Sequence, residues 1–115
     1  MRPKILVIGS SNTDMIIKVP HIPVPGETVL GNEFFLMHGG KGANQAVAAA
    51  RAGADVIFVC CIGNDNFGKT ALKMLNDEGL NTDFIKIAQE SPSGIALINV
   101  ANSGENSISV ASGAN

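Results

Sequence analysis

One alternation in the first half of the chain restricts the fold more than any other feature: an apolar run, a helical stretch and a second apolar run. The first run, residues 5–8, is closed by Gly9. The helical stretch, residues 42–52, is rich in alanine, the strongest helix former, and Gly53 is a typical helix end. The second run covers residues 56–62. Such runs are typical of strands buried in a parallel sheet, and their order favours a right-handed crossover.

Other segments add a second helix and several strands to this unit. Asp65 or Asn66 can cap a helix over residues 67–77, and Gly79 is positioned to end it. Residues 14–19 and 28–37 predict a small antiparallel hairpin inserted between the first strand and the first helix.

The last third changes character, since strand-like runs separated by turn residues predict a meander at residues 84–87, 93–100 and 106–110. We therefore predict a single α/β domain with a Rossmann-like parallel core sheet flanked by helices, and a small β-sheet lid. The core would comprise residues 1–11 and 39–83, and the lid approximately residues 12–38 and 84–112.

Composition excludes two classes of partner. Aromatic residues make up 4% of the chain and the eight Lys and Arg residues are scattered, so neither a base-stacking platform nor a basic surface is present. We expect no nucleic-acid partner. No apolar run approaches the length of a membrane span, and the N-terminus leads into a strand without a signal peptide, so we expect no membrane contact and a cytoplasmic location.

The cysteines and histidines predict no metal site. Cys60 and Cys61 are adjacent on a predicted strand, where neighbouring side chains point to opposite faces, so we expect free thiols. His21 and His38 lie far apart in sequence, and no ligand spacing typical of zinc occurs.

The turn before the first helix carries the strongest sign of ligand binding. Gly39, Gly40 and Gly42 let backbone N–H groups approach a ligand, and the helix N-terminus adds partial positive charge. The phosphate-loop pattern GxxxxGK[ST] is not met, because Phe35 stands at its first glycine and Gly42 at its Ser or Thr. The dinucleotide pattern GxGxxG fails as well, because the first strand runs into GSSNTD.

Recognition of a polyol fits these residues better. Sugar hydroxyls donate and accept, so a site for them needs a carboxylate beside amides and an ammonium group. Asn12 and Asp14 are two apart on an extended segment and face the same way, while Lys41 and Asn44 begin the helix. An alternative explains the same residues structurally, with Asn12 and Asp14 shaping a turn and Asn44 capping the helix.

Four motifs resemble the ribokinase branch of the PfkB family of carbohydrate kinases. They are GSSNTD at residues 9–14, PVPGET at 23–28, GGKGANQAVAAARAG at 39–53 and IGNDNFG at 62–68. The stretch from Gly40 through Asn44 and Gly53 to Gly63 is similar to the first signature of that family.

The resemblance implies a kinase that transfers phosphate from ATP to D-ribose or a related pentose, with Mg²⁺ and a monovalent cation. It implies a lid that covers the sugar and mediates homodimerisation, with apolar residues of the stretch 95–98 lining the sugar. The residues that it places on the sugar are Asn12, Asp14, Gly40, Lys41 and Asn44. It places the catalytic base and the ATP, magnesium and cation sites downstream of Asn115, so we expect no catalytic residue, no metal or cofactor ligand and no catalysis in this chain alone.

Two further functions stay open at this point. The same scaffold serves kinases of deoxyribose and of nucleosides. A non-catalytic sugar-binding or dimerisation module that uses the lid as an interface is the alternative from another class.

Overall fold

A computed structural model describes all residues of the chain, 1–115, with eight strands and two helices. In chain order these are β1 (Lys4–Ile8), β2 (Asn12–Val19), β3 (Glu33–Gly39), α1 (Lys41–Arg51), β4 (Asp55–Val59), β5 (Cys61–Gly63), α2 (Asn66–Asp77), β6 (Lys86–Ala88), β7 (Gly94–Ala101) and β8 (Asn106–Ala111). Neither helix is long and apolar enough to cross a membrane.

The predicted crossover forms the base of the fold. Strands β1 and β4 pair in parallel, with Ile5 opposite Val56, and α1 packs against both. Strands β5 and β6 make a second parallel pair next to them. The α1 face that packs inward carries Gly42, Ala43 and Ala46, whose small size lets the helix lie close to the strands.

The other strands form a four-stranded sheet in the order β3-β2-β7-β8. Strand β2 pairs antiparallel with β3, as the predicted hairpin requires, and parallel with β7. Strand β8 completes the sheet antiparallel to β7. Asn12 opens β2 opposite Gly94 at the start of β7, so both strands enter the sheet side by side from the α/β part.

One cluster of buried residues forms the core beneath α1 and α2. Phe58, Ile62 and Leu75 are its largest fully buried side chains. The remaining members are Ala43, Ala46, Ala54, Val56, Cys60 and Leu80. This cluster lies wholly in the α/β part, and the four-stranded sheet extends from it.

The N-terminus of α2 is tied to the start of β7 by one side chain. Asp65 caps the helix by accepting from the Gly68 N–H at 2.8 Å, as predicted. It also accepts from the backbone N–H of Ser93 at 2.9 Å and from its hydroxyl at 2.7 Å. The Ser93 hydroxyl oxygen accepts in turn from the Gly63 N–H at 2.9 Å. We call these four residues the Asp65 junction.

Three expectations about the strands are wrong in detail. The apolar run 56–62 is two strands broken at Cys60, because β4 pairs with β1 whereas β5 pairs with β6. The predicted meander fails at its first strand, since β6 lies beside β5 and not in the four-stranded sheet. Strand β1 is not buried on both faces, because four of its five residues are exposed, including Ile8 at 73%.

Candidate functional site

A cavity of about 420 Å³ lies where the α/β part meets the four-stranded sheet. Its walls come from the end of β1, the start of β2, the N-terminus of α1 and one face of β7 and β8. All five residues singled out from the sequence line it: Asn12, Asp14, Gly40, Lys41 and Asn44. The structure thus brings together residues from two motifs, and their role in binding stays a prediction.

The carboxylate of Asp14 is the charged group on the β2 side of the cavity. Strand alternation places it on the same face as Asn12, and both line the cavity. No hydrogen bond or ion pair links the Asp14 carboxylate to another side chain, and burial raises the pKa of its carboxyl group. The carboxylate fills the space where Gly39 lacks a side chain, since a Cβ there would lie 2.6 Å from Asp14 Cγ. Asp14 is therefore positioned but unpaired.

The glycine turn brings the N-terminus of α1 onto the end of β1. Gly40 has φ +97°, and a Cβ there would lie 2.7 Å from the carbonyl oxygen of Ser10. A Cβ on Gly42 would lie 2.6 Å from Gly9 Cα. The Ala43 N–H donates to the Ser10 carbonyl at 2.9 Å, which fixes this contact. Close backbone packing thus accounts for two of the three glycines, and the turn presents Lys41 and Asn44 to the cavity.

Lys41 and Asn44 supply polar groups on the helix side. Both are exposed, and neither side chain hydrogen-bonds to the rest of the protein. Asn44 does not cap α1, because its position lies inside the helix and the cap residue is Gly40, which has no side chain to contribute. The structural alternative for Asn44 is therefore wrong, and its amide is free for a ligand.

The wall opposite these polar groups is apolar. Ala96 and Ile98 of β7 line it, and β8 adds Ile108 and Val110, which stand opposite them in the strand pairing. Of the stretch 95–98, the alternate residues Ile95 and Leu97 take no part in the cavity. The β8 residues were missed from the sequence, although the two-residue alternation of that strand was the available signal.

Three polar residues of the cavity were also missed: Ser10, Ser112 and Asn115. Asn115 contacts the start of β2, where its Nδ2 donates to Asn12 Oδ1 at 2.7 Å. Nothing in the local sequence indicates this contact, because the two residues are 103 positions apart.

The remaining reactive side chains lie away from the cavity. Cys60 and Cys61 are free thiols, as predicted, and burial, with the neighbouring Cys61, raises the pKa of Cys60 to about 11. His21 bonds to Glu27 at 3.1 Å on the surface. No three His, Cys, Asp or Glu side chains come together as a metal site would require.

Comparison with known proteins identifies related sequences over the whole chain. The family model for pfkB family carbohydrate kinases matches residues 2–115. The ribokinase of Haemophilus influenzae is 50% identical over 115 residues, which cover all of this chain and 38% of that protein. A deoxyribokinase of Salmonella typhi is 39% identical over 111 residues, 96% of this chain and 36% of that protein.

Solved structures show the same fold. Ribokinase from Cryptococcus neoformans var. grubii serotype A, in complex with ADP, superposes with a TM-score of 0.89 at 43% identity, covering 99% of this chain and 36% of that one. Arabidopsis thaliana ribokinase complexed with ribose and ATP superposes with a TM-score of 0.87 at 34% identity, covering 100% of this chain and 38% of that one. The chain thus spans less than two fifths of the length of each of these relatives.

Proposed function

The chain belongs to the pfkB family of carbohydrate kinases, as its motifs predict, and we propose that it is the sugar-binding and lid part of a longer kinase that phosphorylates D-ribose. The product would be D-ribose 5-phosphate and the phosphate donor ATP. The observation that carries the proposal is the convergence of Asn12, Asp14, Gly40, Lys41 and Asn44 on one cavity. The identities to ribokinases and the structure of one of them with ribose and ATP support the choice of sugar and donor.

The cavity suits a pentose chemically. Asp14 can accept from two hydroxyl groups at once, whereas Lys41 and the amide of Asn44 can donate to hydroxyl oxygens. The apolar wall of Ala96 and Ile98 suits the less polar face of a sugar ring and keeps water away from it. These groups bind and orient the sugar, so their contribution to the reaction is positioning.

We propose that this chain alone does not transfer phosphate. The residues that would deprotonate the hydroxyl and hold ATP, Mg²⁺ and a monovalent cation belong, in the family that it resembles, to other segments. We therefore assign no catalytic or metal-binding residue here.

A test compares the full-length protein with the 115-residue chain. The full-length protein should phosphorylate ribose with ATP, whereas the chain alone should release no ADP above a heat-inactivated control. Isothermal titration of the chain with ribose shows separately whether the cavity binds sugar without the other segments. Ribose-dependent ADP release by the chain would contradict its assignment as a binding part only.

Deoxyribose is the second candidate substrate, because a deoxyribokinase is also among the relatives. The ratio of kcat/KM for ribose to that for 2-deoxyribose in the full-length protein separates the two. We propose ribose because the relative with 50% identity is a ribokinase.

We further propose that the four-stranded sheet is a lid and that two copies associate through it. Its face opposite the cavity carries Met15, Ile17, Phe34 and Leu97, which line a shallow apolar depression of about 330 Å³. Phe34 is 65% exposed and Leu97 52% exposed. An uncovered apolar face of this kind favours association.

We also propose a cytoplasmic location, which agrees with the use of ATP and with the free thiols.

A further inference from the structure

We infer that Asn115 fixes the orientation of the Asn12 amide and thereby sets the donor and acceptor pattern that the cavity offers to a sugar. The inference deepens the proposed function and rests on it. The Asn115 amide makes three hydrogen bonds. Its Oδ1 accepts from the Ser11 N–H at 2.9 Å, and its Nδ2 donates to the Ser112 carbonyl at 2.9 Å and to Asn12 Oδ1 at 2.7 Å.

Two backbone groups determine which way the Asn115 amide points. The backbone N–H of Ser11 can only donate, so the atom that meets it must be the oxygen Oδ1. The backbone carbonyl of Ser112 can only accept, so the atom that meets it must be Nδ2. Both groups assign the same orientation, and the donor that remains on Asn115 therefore faces Asn12.

The orientation of Asn12 follows from this donor. Asn12 must turn its Oδ1 toward Asn115, and its Nδ2 has no partner within the protein. Because Asn12 lines the cavity, the group that it leaves available to a ligand is an N–H donor beside the Asp14 carboxylate, an acceptor. A hydroxyl group can accept from the first and donate to the second, so the pair recognises a hydroxyl with defined polarity.

Gly94 supplies the space in which the two amides meet. It is buried and stands opposite Asn12 in the β2–β7 pairing. A Cβ at this position would collide with Asn115 Nδ2 and with Asn12 Oδ1. The sheet thus packs against the amide pair, and the pair cannot turn freely.

The test measures steady-state kinetics of the full-length protein with ribose and with ATP. Asn115→Asp retains the acceptor for Ser11 but replaces the Nδ2 donor with a carboxylate oxygen, which repels Asn12 Oδ1 and favours the flipped amide. We expect the KM for ribose to rise about tenfold or more with little change in the KM for ATP. Asn102→Asp makes the same change of charge in the exposed turn between β7 and β8, and should match the wild type.

Deoxygenated sugars separate this role from a merely structural one. In the wild type, 2-deoxyribose or 3-deoxyribose should lose kcat/KM, according to which hydroxyl meets Asn12. In Asn115→Asp, the loss of kcat/KM relative to ribose should become smaller only for the deoxy sugar that lacks the hydroxyl bound by Asn12. Asn115→Ala, which removes the bonds without adding a charge, gives the same comparison if the charged variant does not fold.

Each outcome decides between the possibilities. An unchanged KM for ribose in Asn115→Asp, or an equal fall in kcat/KM for ribose and both deoxy sugars, would overturn the inference about Asn115. A wild-type protein that neither binds nor phosphorylates a pentose would instead overturn the proposed function.

Discussion

At the scale of single residues, the chemistry of the cavity depends on one unpaired carboxylate. Burial raises the pKa of the Asp14 carboxyl, and no cation of the protein pairs with it to offset that effect. Hydroxyl groups of a bound sugar would supply the missing donors. Under the proposed function, a ligand that donates hydrogen bonds would therefore complete the site.

Replacing this carboxylate should impair the use of ribose selectively. In the full-length protein, Asp14→Ala removes a charged acceptor for two hydroxyls and should cost about 2 to 4 kcal/mol, or about 30- to 700-fold, in kcat/KM for ribose. The KM for ATP should change little. Asp83→Ala, at an exposed position outside the cavity, is the control. An unchanged kcat/KM for ribose in Asp14→Ala would support a purely structural role.

The same group makes ribose binding dependent on pH in a definite direction. Only the ionised carboxylate accepts from two hydroxyls, so affinity should fall as the pH drops through a pKa that lies above the ordinary 3.8. Isothermal titration from about pH 3.5 to about pH 7, a range that extends from just below the ordinary pKa of Asp to well above it, measures this fall. Asp14→Asn should bind weakly and show no such dependence; a variant that retains the pH profile would assign it to another group.

Part of the cavity could be predicted residue by residue and part could not. Asn12 and Asp14 could be predicted as neighbours in the site because strand alternation alone places them on one face. Asn115 could not be predicted, because the pairing of β2 with β7 is what brings Asn12 to it. The sequence also predicts a glycine turn before α1. It does not show why Gly42 is needed there, because the close contact of Gly42 with Gly9 depends on how α1 packs.

At the scale of elements, the Asp65 junction connects the α/β part to the four-stranded sheet. The Asp65 carboxylate caps α2 and also binds Ser93, the residue just before β7, where the sheet wall of the cavity begins. Burial acts to raise the pKa of Asp65, but the hydrogen bonds from Ser93 and Gly68 outweigh it and leave the pKa lowered. The junction thus favours the ionised carboxylate in the folded chain.

Removing this carboxylate should destabilise the chain. Asp65→Ala deletes a helix cap and leaves the buried Ser93 without its acceptor, so we expect a loss of about 2 kcal/mol in the free energy of unfolding in urea at pH 7. Asp77→Ala lies on the same helix and breaks only an exposed ion pair with Lys73, so its loss should stay below about 1 kcal/mol. Equal losses in the two variants would show that the junction adds nothing to an ordinary surface carboxylate.

The stability due to Asp65 should also depend on pH. A carboxyl whose pKa is lowered on folding stabilises the fold above its ordinary value of 3.8 and loses that contribution as the pH falls through the lowered pKa. The difference in the free energy of unfolding between the wild type and Asp65→Ala, measured in urea at a series of pH values, should therefore become smaller in acid.

Element boundaries that depend on pairing partners were beyond the sequence. The capped helix α2 was predicted to within one residue, because Asp65 and Gly79 are local signals. The break at Cys60 was not, because an apolar run does not reveal that its two halves pair with different strands. Strand β6 was assigned to the wrong sheet for the same reason.

At the scale of the whole molecule, the four-stranded sheet has two apolar faces with different environments. One face carries Ile98 and Ile108 and closes the cavity. The other carries Phe34 and Leu97, which are exposed. Strand pairing places Ile17 on this second face and Ile108 on the first, so only the second is available to another copy without obstructing the cavity.

Association through the second face predicts a discrete dimer of the 115-residue chain in analytical ultracentrifugation. Leu97→Asp places a charge on that face and should shift the chain to monomer while the circular dichroism spectrum stays unchanged. Val24→Asp makes the same type of change at an exposed loop residue outside the sheet and should leave the dimer intact. The open edge of β1, with Ile8 exposed, offers a competing route to association that does not close at two copies. A series of ever larger species that Leu97→Asp does not change would therefore assign association to β1. A wild-type chain that stays monomeric at roughly tens of micromolar, where a specific interface of micromolar Kd would be occupied, would refute the lid interface for this chain.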